Sequence, residues 1–251
     1  MTLHGYAFGP EGGAPLVALH GVRGFGGRWK RLAELGRRVH GFDLRGHGDS
    51  PDVAPWTLEQ HTSDVLSTMD VLGLSTVDLV GHSFGGCVAV HVARAAPGRV
   101  RRLVLLDPAV GISRRAARDE AAKSLVVPSF GSVEEARADR AVRWPDAQPS
   151  FVDDELTGNL VRDATDGRWR PRWRPTVVVT AYSEMARPAV APPKEVPTLL
   201  LRSVSAGVVR PGFLAACARD GDVRVVDVDC GHMVLEARPE ETLRHLGDFL
   251  D

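Results

Sequence analysis

Thr76-Val77-Asp78-Leu79-Val80-Gly81-His82-Ser83-Phe84-Gly85-Gly86-Cys87-Val88-Ala89-Val90 contains the change of pattern around which the rest of the chain is arranged. A β-branched, apolar run stops at Gly81, a serine follows, and a helical pattern opens through Gly85 and Gly86. The order is strand, sharp turn, helix, with residues 81–85 reading G-x-S-x-G. A serine oxygen raised above a sheet needs a tight turn and a strained serine backbone. Glycines beside it let strand and helix pass close together. The helix then aims free N–H groups and the positive end of its dipole at the serine, where an oxyanion would be stabilised. A capping serine in a glycine turn would give the same pentapeptide, so the flanking chain has to decide between the two.

Outward from the elbow, strands and helices alternate. A short strand is expected over residues 3–8. Residues 15–20 form a continuous apolar run through Leu16, Val17, Ala18 and Leu19, the pattern of a parallel strand buried on both faces. It enters the loop His20-Gly21-Val22-Arg23-Gly24-Phe25-Gly26-Gly27, and a short helix is expected over 29–36. A strand over 39–44 ends in Asp43-Leu44-Arg45-Gly46-His47-Gly48-Asp49-Ser50. Thr57-Leu58-Glu59-Gln60 reads as a capping box that starts a helix running to Leu72, with Gly73 as its stop. After the elbow helix, a buried strand over 100–106 ends at Asp107-Pro108.

From 109 to 196 the pattern changes. Charged helical segments (114–125 and 133–142) alternate with loops bearing proline and tryptophan, and residues 177–186 read as a helix despite their valines. Strand 197–201, helix 211–219, strand 223–228 and helix 239–250 resume the alternation. This predicts an α/β fold with a doubly wound, mostly parallel sheet built from residues 1–108 and 197–251. Residues 109–196 would be a helical insertion at the carboxyl end of a central strand, over the crevice where such sheets bind ligands: a lid.

Bulk properties exclude several functions. With 251 residues, 43% hydrophobic and 25% charged, the chain is long enough for a full core in one domain. The 31 basic and 32 acidic residues nearly cancel, which predicts no nucleic-acid partner. Cys87, Cys217 and Cys230 are odd in number and widely spaced, so a reducing, cytoplasmic setting is expected. Residues 1–13 have no signal-peptide pattern, and no apolar run reaches the roughly 20 residues of a membrane span. No cluster of His, Cys, Asp and Glu has metal-ligand spacing, so neither metal nor cofactor is expected. Arg168-Trp169-Arg170-Pro171-Arg172-Trp173-Arg174 could face an anionic surface. The plainer reading packs its tryptophans and pairs its arginines with Asp163 and Asp166.

Four motifs in order give the chain its resemblance to the α/β-hydrolase family: the His20-Gly21 loop, residues 43–50, the elbow at 81–86, and Gly231-His232 near the end. That family hydrolyses esters, amides, lactones and related bonds, with a triad in the order Ser…Asp/Glu…His. The resemblance implies Ser83 as nucleophile and His232 as its base. His82 should point away from the serine, while His20 and His47 should orient loops. The oxyanion donors would be the backbone N–H groups of Val22 and Phe84. Most members carry the acid after the strand matching 197–201, where Gly207 stands here. There is no carboxylate between Glu195 and Asp220. Some members carry it one strand earlier, which points to Asp107, with Asp227 and Asp229 in reserve. An Asp-Pro at a strand end is also an ordinary turn.

The expected activity is that of a serine hydrolase acting on a small-to-medium, fairly apolar carboxylic ester, lactone or thioester through an acyl-enzyme. Phe25, Trp144 and Met233 head the candidates for lining the substrate pocket, followed by Trp29, Phe130, Tyr182 and Met185. Two alternatives stand beside it: a C–C bond hydrolase or secondary-metabolism tailoring enzyme on the same scaffold, and a ligand-binding module with little turnover. Serine at position 83 argues against dehalogenases and epoxide hydrolases, which use an aspartate nucleophile. Oligomeric state is not legible in the sequence.

Overall fold

The computed structural model describes residues 1–251. Its elements follow the chain as β1 (Gly5–Phe8), β2 (Pro15–Leu19), a 3₁₀ segment (Gly26–Leu35), β3 (Arg38–Phe42), α1 (Leu58–Val71), β4 (Val77–His82), α2 (Phe84–Ala95) and β5 (Val100–Leu106). Then come α3 (Arg114–Ser124), α4 (Val133–Arg143), α5 (Pro149–Asn159), β6 (Leu160–Arg162), β7 (Trp169–Pro171) and α6 (Pro175–Met185). The chain closes with β8 (Thr198–Ser203), α7 (Pro211–Asp220), β9 (Val223–Val228), α8 (Val234–Ala237) and α9 (Pro239–Leu250).

Seven strands form one sheet in the order β1-β3-β2-β4-β5-β8-β9. Only β1 runs antiparallel to its neighbour. Successive side chains of the central strands leave by opposite faces, and both faces are covered. Leu79, Leu103 and Leu105 belong to one apolar cluster, with α1, α2, α6 and α7. Val80, Val104 and Leu106 belong to the other, with Trp29, Leu32, α8 and α9. Burial on both sides is why β4 and β5 read as unbroken apolar runs rather than alternating ones. The register places Leu19 beside Gly81, His82 beside Leu106, and Leu106 beside Leu201. The residues that follow these strand ends therefore emerge along one edge of the sheet.

Thr57 caps α1 by accepting from the Gln60 N–H, as the capping box requires. The segment over 177–186 is helical, as read: Pro175 starts α6, and Val177, Val178, Ala181 and Met185 are buried. Two features escaped the sequence. Helix α5 begins at Pro149 in a stretch read as loop, and its apolar residues are too sparse for a strong periodic signal. The β6–β7 hairpin has only three residues in each strand. Between β5 and β8, residues Phe130, Ala136, Val152, Leu156 and Leu160 form a small core of their own. No helix is long and apolar enough to cross a membrane, and all three cysteines are buried and unbridged.

Candidate active site

Ser83 caps α2 with φ 54° and ψ −117°, a conformation seldom open to a residue with a side chain. Its backbone is held from both directions. The N–H donates to Leu106 O at 3.1 Å, and the C=O accepts from Cys87 and Ala109 at 3.1 and 3.0 Å. The glycines are steric necessities: a Cβ at Gly81 would lie 2.5 Å from Gly85 O, and one at Gly85 would lie 2.2 Å from Leu19 O.

Asp107 directly follows β5, fully buried, with φ 42°. Its Oδ2 lies 2.6 Å from His232 Nδ1, and its Oδ1 accepts from the Ser203 N–H at 3.1 Å. With Asp107 accepting the Nδ1 proton, the Nε2 lone pair of His232 is left to act as a base. The His232 loop is pinned at three points. Cys230 O accepts from Ser203 Oγ at 2.6 Å, the Gly231 N–H donates to Asp146 at 3.0 Å, and His232 O contacts His82 Nε2 at 2.9 Å. No hydrogen bond joins Ser83 Oγ to His232, a contact that commonly tightens only with substrate in place. Both residues border one cavity of about 830 Å³, within the usual size of small-molecule sites.

His82 is not simply turned away from the site as expected. It borders this cavity and supports the His232 loop, because the last β4 side chain points into the crevice at the strand end. Burial, then repulsion from His232, holds its pKa well below the ordinary histidine value, so it is neutral and donates from Nε2. His20 and His47 do orient loops. His20 Nε2 accepts from the Leu44 N–H at 2.9 Å, its Nδ1 donates to Gly21 O at 2.7 Å, and its ring packs on His47 at 4.9 Å. Burial lowers both pKa values. The loop they hold lies so close to the elbow that a Cβ at Gly21 would meet Ser83 Cβ at 3.0 Å. Val22 borders the cavity, and Phe84 opens α2, where an N–H has no acceptor within the helix.

Of the apolar candidates, Trp144 and Met233 border the cavity, as do Tyr182 and Met185. Phe25 does not: it is buried against Tyr6 and sits where a Cβ on Gly158 would strike its ring, so it fills space between the loop and α5. Trp29 and Phe130 are also core. Asp227 is exposed and paired with Arg202, and Asp229 is exposed, so neither reserve acid meets His232. Arg170 pairs with Asp163 and Asp166, Arg172 with Asp49 and Arg174 with Asp52. Trp173 is buried and borders the cavity.

His4, Asp43 and Asp49 come together in space, with one ligand-type atom each within 4.8 Å of the others, although their spacing gave no such sign. The buried Asp43 carboxylate is already engaged by the N–H groups of Gly26 (2.6 Å) and Asp49 (3.0 Å). It clamps two loops. Sequence reasoning also missed Arg23, Arg28 and Glu155 on the cavity wall. Arg28 is buried in an ion pair with Glu236 of α8, a long-range partnership without a local signature.

The profile of the alpha/beta hydrolase family matches residues 16–245. The chain is 40% identical to Lipase LipV of Mycobacterium tuberculosis over 248 residues, covering 96% of this chain and 95% of that one. It is 30% identical to the sn-1-specific diacylglycerol lipase ABHD11 of Mus musculus, over 94% of this chain and 80% of the relative. Among solved structures, E-2-(acetamidomethylene)succinate hydrolase superposes with a TM-score of 0.85 at 23% identity, covering 99% of this chain and 95% of that one. The elbow, the strand order and these likenesses agree: the chain belongs to the alpha/beta hydrolase family.

Proposed function

We propose that this enzyme is a serine hydrolase that cleaves a carboxylic ester, lactone or thioester, with Ser83, His232 and Asp107 as its triad. Ser83 Oγ attacks the carbonyl carbon while His232 Nε2 takes its proton. The C–O or C–S bond of the leaving group breaks as His232 returns that proton to it. Water, deprotonated by His232, then attacks the acyl-serine; the acyl–Oγ bond breaks as His232 returns the proton to Ser83 Oγ, and the acid is released. Asp107 holds the tautomer and stabilises the imidazolium. The N–H groups of Val22 and Phe84 receive the oxyanion, a contribution of about 10²–10³ in rate per donor. Residues 109–196 serve as the lid, and Trp144 and Met233 contact the substrate.

The observation that carries this reading is the 2.6 Å contact between buried Asp107 and His232 Nδ1, beside a strained serine bordering the same cavity. It also weighs against a binding module, a reading that the lack of a carboxylate near Gly207 would otherwise favour. The lipase names of two relatives favour an ester as the scissile bond. A fluorophosphonate should add its mass to Ser83 of the folded protein and leave Ser83→Ala unmodified. Folded wild-type protein that stays unlabelled would overturn the proposal. An ester chain-length panel, with a thioester and a lactone, then ranks the bonds.

A further inference from the structure

Charge on the cavity wall is strongly unbalanced. Arg23, Arg28, Lys123, Arg140, Arg143 and Arg210 border it, against Glu120 and Glu155. Most of these cations have carboxylate partners: Arg28 pairs with Glu236, Lys123 with Glu120, and Arg140 and Arg143 with Asp139. Arg23 has none. Its Nη2 donates to Ser124 Oγ at 2.5 Å, and its Nε is buried without an acceptor. Arg210 also lacks a carboxylate, but it is exposed and its Nη1 reaches Gly207 O.

Arg23 is held in place with some care. It follows Val22 on the loop beside Ser83, in a left-handed conformation (φ 70°) that a side-chain-bearing residue adopts at a cost. The His47 ring contacts its N–H at 3.4 Å, and Asn159 Nδ2 donates to its carbonyl at 2.8 Å. The guanidinium lies over Trp173 at 5.6 Å and Tyr182 at 5.9 Å. A guanidinium set beside two aromatic rings, with one donor unpaired, offers the kind of N–H contact by which arginine grips carboxylate or phosphate. A buried donor without a partner calls for one.

We infer that Arg23 recognises an anionic group, a carboxylate or a phosphate, borne by the substrate apart from the bond that is cleaved. This rests on the hydrolase reading above and narrows it. Since 12 of the 28 cavity-lining residues are hydrophobic, the substrate is an amphiphile: an apolar segment with an anionic group positioned toward α3 and α6.

The test compares 4-nitrophenyl hemiglutarate, a phosphate-terminated ester of similar length and the neutral 4-nitrophenyl valerate. The wild-type kcat/KM ratio of one anionic ester to the neutral ester should exceed unity, and whichever anion is preferred identifies the group. Arg23→Gln should lower that ratio at least tenfold, and Arg23→Lys should restore part of it. Equal losses on all three esters, or an unchanged ratio, would mean that Arg23 only braces the loop, and would overturn the inference. Calorimetric titration of Ser83→Ala with glutarate and with inorganic phosphate, with and without Arg23→Gln, reads the same contact without turnover. Arg23-dependent binding, together with a wild type that no fluorophosphonate labels, keeps the anion site at Arg23 and ends the hydrolase reading. A labelled protein with no anion preference does the reverse.

Discussion

Asp107 enters the site with a positive φ, a backbone conformation that an aspartate seldom takes without compensation. The compensation is visible: its N–H donates to Leu201 O at 2.8 Å, and Oδ1 accepts from Ser203. The strand that lacks an acid of its own thus supports the acid of its neighbour. Asp107→Asn keeps the shape and removes the charge that, in the proposed triad, stabilises the imidazolium, so kcat should fall by roughly 10⁴. Near-normal turnover of a folded variant, measured on any ester the wild type hydrolyses, would exclude the role. Ser83 and His232 could be singled out from sequence because each sits in a short local pattern. Asp107 could be nominated only through a resemblance and the lack of a carboxylate near Gly207. Phe25 was misplaced because a glycine-rich loop does not reveal which of its side chains turns inward. Arg23 was invisible for another reason: one arginine among many stands out only when its missing partner is seen.

At the scale of elements, the strand–turn–helix unit was legible because its glycines follow from backbone crowding rather than from distant packing. Gly85→Ala should therefore cost about 1–3 kcal/mol or more, since the new Cβ would meet the Leu19 carbonyl, which is fixed in the sheet. A Cβ at Gly98 would meet nothing within 4 Å, and Gly98→Ala should stay within about 0.5 kcal/mol. Urea unfolding of the two variants checks the contrast, and equal effects would refute it. Helix α5 shows the opposite case. Its buried Phe151, Val152, Glu155, Leu156 and Asn159 face different neighbours, so no single apolar stripe marks it. Glu155 and Asn159 hydrogen-bond one another at 2.7 Å, and Asn159 reaches the Arg23 carbonyl. Its apolar packing is thus joined by polar contacts across the cavity wall, which composition does not reveal.

At the scale of the whole molecule, the alternation of strands and helices was enough to give the parallel sheet, while the packing within residues 109–196 was not. Four buried histidines tie stability to pH. Burial depresses the pKa values of His20, His47 and His82, and takes that of His61 to about 3. The unfolded chain protonates these rings near pH 6.5, so the folded state keeps its full advantage above that value. It loses up to about 1.4 kcal/mol per pH unit per histidine as the pH falls toward each folded pKa. Urea midpoints should therefore drop steeply between about pH 6.5 and 5; a flat profile would contradict this. Both ring nitrogens of His61 lack partners, and the ring packs edge-on against Phe84. His61→Phe should raise stability at neutral pH and make the acid limb shallower.

Ser83 lies between β4 and α2, and Asp107 at the end of β5, of a single β4–α2–β5 unit, whereas His232 lies 125 residues from Asp107 along the chain. Two of the three proposed groups are thus positioned by one local fold, and the third waits on one distant closure. Refolding should bring this to light in time. Structure around the elbow can form early, but activity can return only when the carboxyl-terminal segment docks and β9 adds to β8. The slowest phase of regained turnover would then track the burial of α9 rather than the formation of the nucleophile turn.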